Sequence, residues 1–175
     1  MDITYSDKNT IKISGKTADV VINASPGTKA DLLLFTDPSA TVVPEKSFYG
    51  PGEYEVMGMM VDGVEITASN TAYSLVVDDM HITYAIDLNT ALTDAQLERM
   101  DGVDVLIISV QDSKADLMNK IISQVEPKVL IPIMDSEPEL AKIKAEFGKD
   151  SEPIDKYKIS KKDLPIDSQQ LVILK

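Results

Sequence analysis

Residues 71–88 read TAYSLVVDDMHITYAIDL, two apolar runs at 72–77 and 82–86 on either side of Asp78 and Asp79. Val, Ile, Tyr and Thr favour pleated backbone, and the paired aspartates supply turn chemistry. The stretch predicts a β-hairpin, and the rest of the chain has to be organised around it. Its second strand ends in Asp87, a lone carboxylate directly after Tyr84, Ala85 and Ile86. An acid at the C-terminal end of a buried strand is where α/β proteins often hold a metal or a substrate. The same carboxylate also suits a plain cap for residues 88–90.

Before the hairpin the chain reads as β with almost no helix. Short strands are predicted at 3–5, 10–13 and 19–22, with Gly15 and Lys16 turning the last two. Residues 30–36, ADLLLFT, form a continuous apolar run bounded by Asp and Pro, the pattern of a strand buried on both faces. Residues 37–45 read as a loop, and 47–66 as β with tight turns around Gly50, Pro51 and Gly52. Of the methionines in that region, Met57, Met59 and Met60 read as ordinary core or rim residues.

After the hairpin the pattern alternates. Thr93 and Gln96 are spaced as a capping box for a short helix with Leu97 and Met100 inward. Residues 103–110, VDVLIISV, and 128–133, KVLIPI, are two more buried strands, with Pro132 marking a bulge or an end. A helix over 112–125 lies between them, its Leu117, Ile121 and Val125 four apart. A helix over 137–147, opened by Ser136 and Glu139 and stopped by Gly148, is followed by strands at 156–160 and 171–174. Strand–helix alternation predicts an α/β layer in this half. No linker divides the 175 residues, so a single domain over 1–175 is expected.

Charge and rare residues exclude several functions. The formal net charge is −12 with one arginine, Arg99, which leaves neither the positive field nor the bidentate forks that phosphate backbones need. Nucleic acid and anionic membrane are therefore not expected partners. The N-terminal segment has no apolar stretch like that of a signal peptide, and no apolar run reaches a membrane-spanning length, which predicts a cytoplasmic protein. Cysteine is absent and histidine occurs once, at His81. Any site needing thiolates or two imidazoles is excluded by that count. No serine has a nucleophile-elbow context to pair with His81. Gly50 and Gly52 precede a strand, so they make no phosphate loop.

Several stretches together carry a family likeness: Ile3-Thr4-Tyr5 with Ile11-Lys12-Ile13, Ala30-Asp31-Leu32, the run GPGEYEV at 50–56, Asp87-Leu88 with LTDAQL at 92–97, VDVL at 103–106, EPKVLIP at 126–132, and KISKKDLP at 158–165. In order and over nearly the whole chain, they resemble the metallo-β-lactamase fold family, in its small prokaryotic branch of zinc-dependent hydrolases related to ascorbate-6-phosphate lactonase. The resemblance implies a four-layer αβ/βα sandwich, two sheets face to face with helices outside. It also implies where metal ligands would stand: an H-x-H-x-D-H motif, two further histidines and a bridging aspartate. The motif falls on residues 37–42, DPSATV, and the late histidine on Met134, so the histidines are gone; Asp87 remains at the bridging position.

Three functions stay open on this reading. The first is a non-catalytic member that has lost its metal centre and serves as an interaction or oligomerisation module, with a homo-oligomer or another protein as partner, no catalytic residue and no cofactor. The second is a rewired hydrolase of phosphoesters or lactones. Here Asp37, Asp87 and Asp135, which the family fold would bring into one cleft, hold Mg²⁺, Mn²⁺ or Ca²⁺ through oxygen. The third is a small-molecule binder reusing the vestigial pocket, formed by Asp37, Ser39, Thr41, Tyr84, Asp87 and Met134 with Asn89 beside them.

Overall fold

The structure is a computed structural model that describes residues 1–6, 9–37, 47–111, 115–133, 137–148 and 151–175, with the side chains of 137–139 excepted. Its strands are β1 (Asp2–Ser6), β2 (Thr10–Ser14), β3 (Asp19–Ile22), β4 (Leu32–Phe35), β5 (Ser47–Tyr49), β6 (Gly52–Val56), β7 (Met59–Thr67), β8 (Asn70–Val77), β9 (Met80–Leu88), β10 (Val105–Val110), β11 (Val129–Pro132), β12 (Tyr157–Lys158) and β13 (Gln170–Leu171). The helices are α1 (Asp94–Arg99), α2 (Ala115–Val125) and α3 (Glu137–Phe147).

Two sheets face each other. The first runs β12-β1-β2-β3-β4-β5, the second β13-β11-β10-β9-β8-β7-β6. In the second sheet β6 to β9 form an antiparallel meander, and β9, β10, β11 and β13 run parallel. The central hairpin forms as its sequence predicts. Asp78 and Asp79 both take positive φ, 51° and 65°, the two-residue turn whose twist matches the strands it joins.

Alternation explains the burial. Ile82, Tyr84 and Ile86 of β9, Val105 and Ile107 of β10, and Val129 and Ile131 of β11 enter the core between the sheets, where they meet Ile3, Ile13, Ile22, Leu32 and Leu34. The intervening residues Ala85, Leu88, Leu106, Ile108 and Leu130 face a second core with Met118, Ile121, Ile122 and Ile143 of the helices. These strands therefore bury both faces, which is why they read as unbroken apolar runs. Leu97 packs against this second core and Met100 lies inside it, as the capping-box helix requires.

Local chemistry sets the ends. Thr93 Oγ1 accepts from the Gln96 N–H while Gln96 Oε1 accepts from the Thr93 N–H, the predicted capping box of α1. The α2 helix closes on Glu126 at φ 50°, and Pro127 cannot continue it. Pro132 is the last residue of β11. The GPGEYEV run is a crossover: Gly50 (φ 86°), Pro51 and Gly52 (φ 152°) carry the chain from β5 in the first sheet to β6 in the second. Tyr54 Oη donates to the Gly50 carbonyl at 2.9 Å and its ring stacks on Phe48, which fixes the crossover. The last two strands are shorter than the sequence suggests, because each meets only a two-residue partner segment at a sheet edge. Met59 is buried, whereas Met57 and Met60 lie exposed on the rim. No described helix is long and apolar enough to cross a membrane.

Candidate functional site

The C-terminal ends of β3, β4, β9 and β10 come out at the same end of the sandwich, which is where open α/β sheets collect ligands. Asparagine and threonine side chains tie the two sheets together there. Asn23, just past β3 at φ 54°, accepts from the Thr36 N–H and hydroxyl through Oδ1, at 3.0 and 3.2 Å, and donates through Nδ2 to Tyr84 Oη at 3.2 Å. The Thr36 carbonyl accepts from the Thr71 N–H of β8 at 2.9 Å. Tyr73 donates to the Phe35 carbonyl at 2.8 Å.

Tyr84 is wholly buried and its hydroxyl proton goes to the Asn9 carbonyl at 2.5 Å. Burial pushes the phenol far above its ordinary value, the Asn23 amide offsets this in part, and the nearby Asp87 carboxylate adds to the rise. Tyr84 thus stays a neutral donor, and its one proton is used inside the protein.

Asp87 lies exposed at this end of the sandwich, with φ 54°, a left-handed conformation that costs a non-glycine residue roughly 1 kcal/mol or more. What holds it is a clamp on the preceding peptide unit. Asn70 Nδ2 donates to the Ile86 carbonyl at 2.7 Å, and Ser109 Oγ accepts from the Asp87 N–H at 2.9 Å. The ladder between β9 and β10 slips here, with Ile108 opposite Ala85 but Val110 opposite Leu88. Two residues, Ile86 and Asp87, therefore oppose Ser109 alone, and the bulge re-aims the carboxylate.

Of the residues singled out from sequence, Asp37 lies exposed just past β4, Tyr84 in the inter-sheet core and Asp87 exposed near the end of β9, with Asn89 exposed just beyond it in the chain. Ser39, Thr41, Met134 and Asp135 lie outside the described residues. Among the described residues no three His, Asp or Glu side chains gather as a metal site. Sequence reasoning missed Asn23, Asn70 and Ser109. For Asn23 a signal existed: asparagine tolerates the left-handed region, and it opens a Pro-Gly loop.

Zinc is bound through imidazole and thiolate, with carboxylate as a supplement. The chain has one imidazole and no thiol. His81 is six residues before Asp87 on the same strand, about 20 Å away along extended backbone. Its backbone N–H is bound to Asp104 Oδ2 at 3.0 Å, at the opposite end of the sandwich. These donors do not fit a zinc centre at Asp87.

A family model described as "Beta-lactamase superfamily domain" matches residues 2–134. No curated protein is similar enough to match. Among solved structures, a protein from Thermotoga maritima assigned as a Zn-dependent hydrolase of the metallo-beta-lactamase superfamily superposes with a TM-score of 0.76 at 17% identity, over 99% of this chain and 97% of that one. A protein from Parabacteroides distasonis assigned as a metal-dependent hydrolase gives 0.59 at 13% identity, over 98% and 91%. The metallo-beta-lactamase fold protein YhfI from Bacillus subtilis gives 0.58 at 7% identity, over 99% and 96%. At these identities the likeness shows the fold alone.

Proposed function

The chain belongs to the beta-lactamase superfamily, and from that premise we propose that it is a non-catalytic member, in the branch related to ascorbate-6-phosphate lactonase, whose metal motif has degenerated and whose fold serves as an interaction or oligomerisation module. One observation carries this reading. The single histidine of the chain stands at the far end of β9 from Asp87, so no imidazole pair can reach that carboxylate. Around Asp87 the scaffold is well tied: Asn23 donates to Tyr84, Asn70 to the Ile86 carbonyl, and Ser109 accepts from the Asp87 N–H. Retained packing with lost ligands is what a fold kept for its surface rather than its chemistry predicts. The site of action on this reading is the cytoplasm.

The clamp on Asp87 favours a second reading. A carboxylate held in a costly backbone conformation suits an oxygen-ligand site for Mg²⁺, Mn²⁺ or Ca²⁺; on this reading Asp37 and Asp135 would complete it. Elemental analysis of the purified protein, with thermal shift against Zn²⁺, Mn²⁺, Mg²⁺ and Ca²⁺, separates the two. The non-catalytic reading expects near-zero metal and an unchanged melting temperature. A stoichiometric metal whose stabilisation disappears in Asp87→Asn would overturn it in favour of the carboxylate site. Light scattering over a range of protein concentrations tests the oligomer: a species heavier than 19.1 kDa supports self-association, and a monomer turns the reading to a different protein partner.

A further inference from the structure

The end of the sandwich opposite Asp87 carries a hollow of about 590 Å³, formed where the β2–β3 turn, the β8–β9 turn and residues 158–163 meet. Its volume is in the range of small-ligand sites. Four lysines line it, Lys16, Lys158, Lys161 and Lys162, against three aspartates, Asp78, Asp79 and Asp163. That balance inverts the chain as a whole, which has 17 basic and 29 acidic residues.

Two of the three acids have partners inside the protein, while Asp79 faces the same hollow. Asp78 accepts the Lys16 backbone N–H at 3.0 Å and lies 3.4 Å from the Met1 ammonium. Asp163 accepts from both the backbone N–H and the hydroxyl of Ser160. Lys161 binds Asp104 Oδ2 at 2.6 Å with its side chain still half exposed. Lys16, Lys158 and Lys162 make no ion pair among the described residues, although other lysines of the chain do: Lys12 pairs with Asp19, Lys128 with Asp104 and Lys156 with Asp2. Lys162 also lies close enough to Asp163 to favour its charged form, and four ammonium groups against three carboxylates leave this opening a small positive excess in an otherwise acidic molecule.

We propose that this hollow binds a phosphoryl dianion through the ammonium groups of Lys16, Lys158 and Lys162. Lysine binds phosphate as a mobile point charge, and a doubly charged oxyanion gains more from several such charges than a monoanionic carboxylate does. The one arginine, Arg99, is held elsewhere by Asp62. The site is independent of Asp87 and of any metal at the other end.

The test is a titration of the full chain with inorganic phosphate and, separately, with glucose 6-phosphate, followed by amide NMR shifts against sodium chloride at matched ionic strength. The expected result is saturable shifts at Lys16 and residues 158–162, weakened at least about tenfold by Lys158→Glu with Lys162→Glu and untouched by Asp87→Asn. Both lysines are exposed, so the charge reversals leave the fold in place. Lys16→Glu provides a second, separate reversal on the β2–β3 turn. Equal affinity for the two ligands identifies free phosphate as the source, and tighter binding of the ester identifies a phosphate monoester. Shifts no larger than those with chloride, or shifts that survive the reversals, would overturn the proposal.

Discussion

Asp104 stands at the foot of β10 with its side chain only 3% exposed, and its carboxylate gathers three segments: Lys128 Nζ at 2.8 Å, Lys161 Nζ at 2.6 Å and the His81 N–H at 3.0 Å. Burial works against the charged form, but the two lysines and the His81 N–H outweigh it and hold the carboxyl below its ordinary value of 3.8. A depressed folded value means that stability is fully present above the unfolded value and is lost as pH falls through the folded one. Asp104→Asn should therefore cost about 1–3 kcal/mol at neutral pH, less than a fully buried pair because both lysines are half exposed. The acid limb of stability below about pH 4 should flatten in the variant. Urea unfolding across pH checks both outcomes, and an acid limb identical to the parent's would refute the role. At the same scale, Asp87 and Tyr84 show why residue type alone misleads. Each looks available in sequence, yet one is fixed by a peptide clamp and the other spends its proton on Asn9.

Two turns carry the predictions that belong to the elements. In the β8–β9 hairpin both turn residues are left-handed, and aspartate tolerates this less well than glycine. Asp79→Gly relieves the second position and should raise stability by about 0.5–1 kcal/mol, read from the denaturation midpoint. The opposite is expected at the crossover between the sheets. A Cβ on Gly63 would come within 2.6 Å of the Gly50 carbonyl oxygen and 3.3 Å of the Gly52 nitrogen. Backbone cannot give way as a side chain can, so Gly63→Ala should cost about 1–3 kcal/mol and loosen β6 from β7. If the variant melts with the parent, the crossover is softer than its geometry implies. These contacts also give the GPGEYEV run a structural role in the passage between the sheets.

For the whole molecule, the two cores meet on β9 and β10, which contribute buried residues to both. Hydrogen exchange should therefore be slowest in β9 and β10 and fastest at the sheet edges β5 and β12, whose strands have a neighbour on one side only. Uniform protection across both sheets would contradict this gradient. The sandwich also has two distinct ends. One collects Asn23 and Thr36 just past β3 and β4, Asp87 near the end of β9 and Asn70 at the start of β8, and the other collects Asp78, Asp104, Lys158, Lys161 and Lys162.

The local elements were legible in the sequence because each follows from nearest-neighbour physics. The double apolar faces of residues 103–110, the aspartate turn at 78–79, the Thr93 capping box and the proline stops at 127 and 132 need no tertiary information. The poor fit to a zinc centre was equally legible, since one histidine and no cysteine is a fact of composition. What only the tertiary structure decided lies between segments distant in the chain. Asn70 and Ser109 reach the Asp87 peptide from 16 and 22 residues away, Lys161 reaches Asp104 across 57, and Lys16 joins residues 158–162 in one hollow. Such contacts are set by sheet order, register and a one-residue bulge, which shift side chains between partners without changing any local pattern.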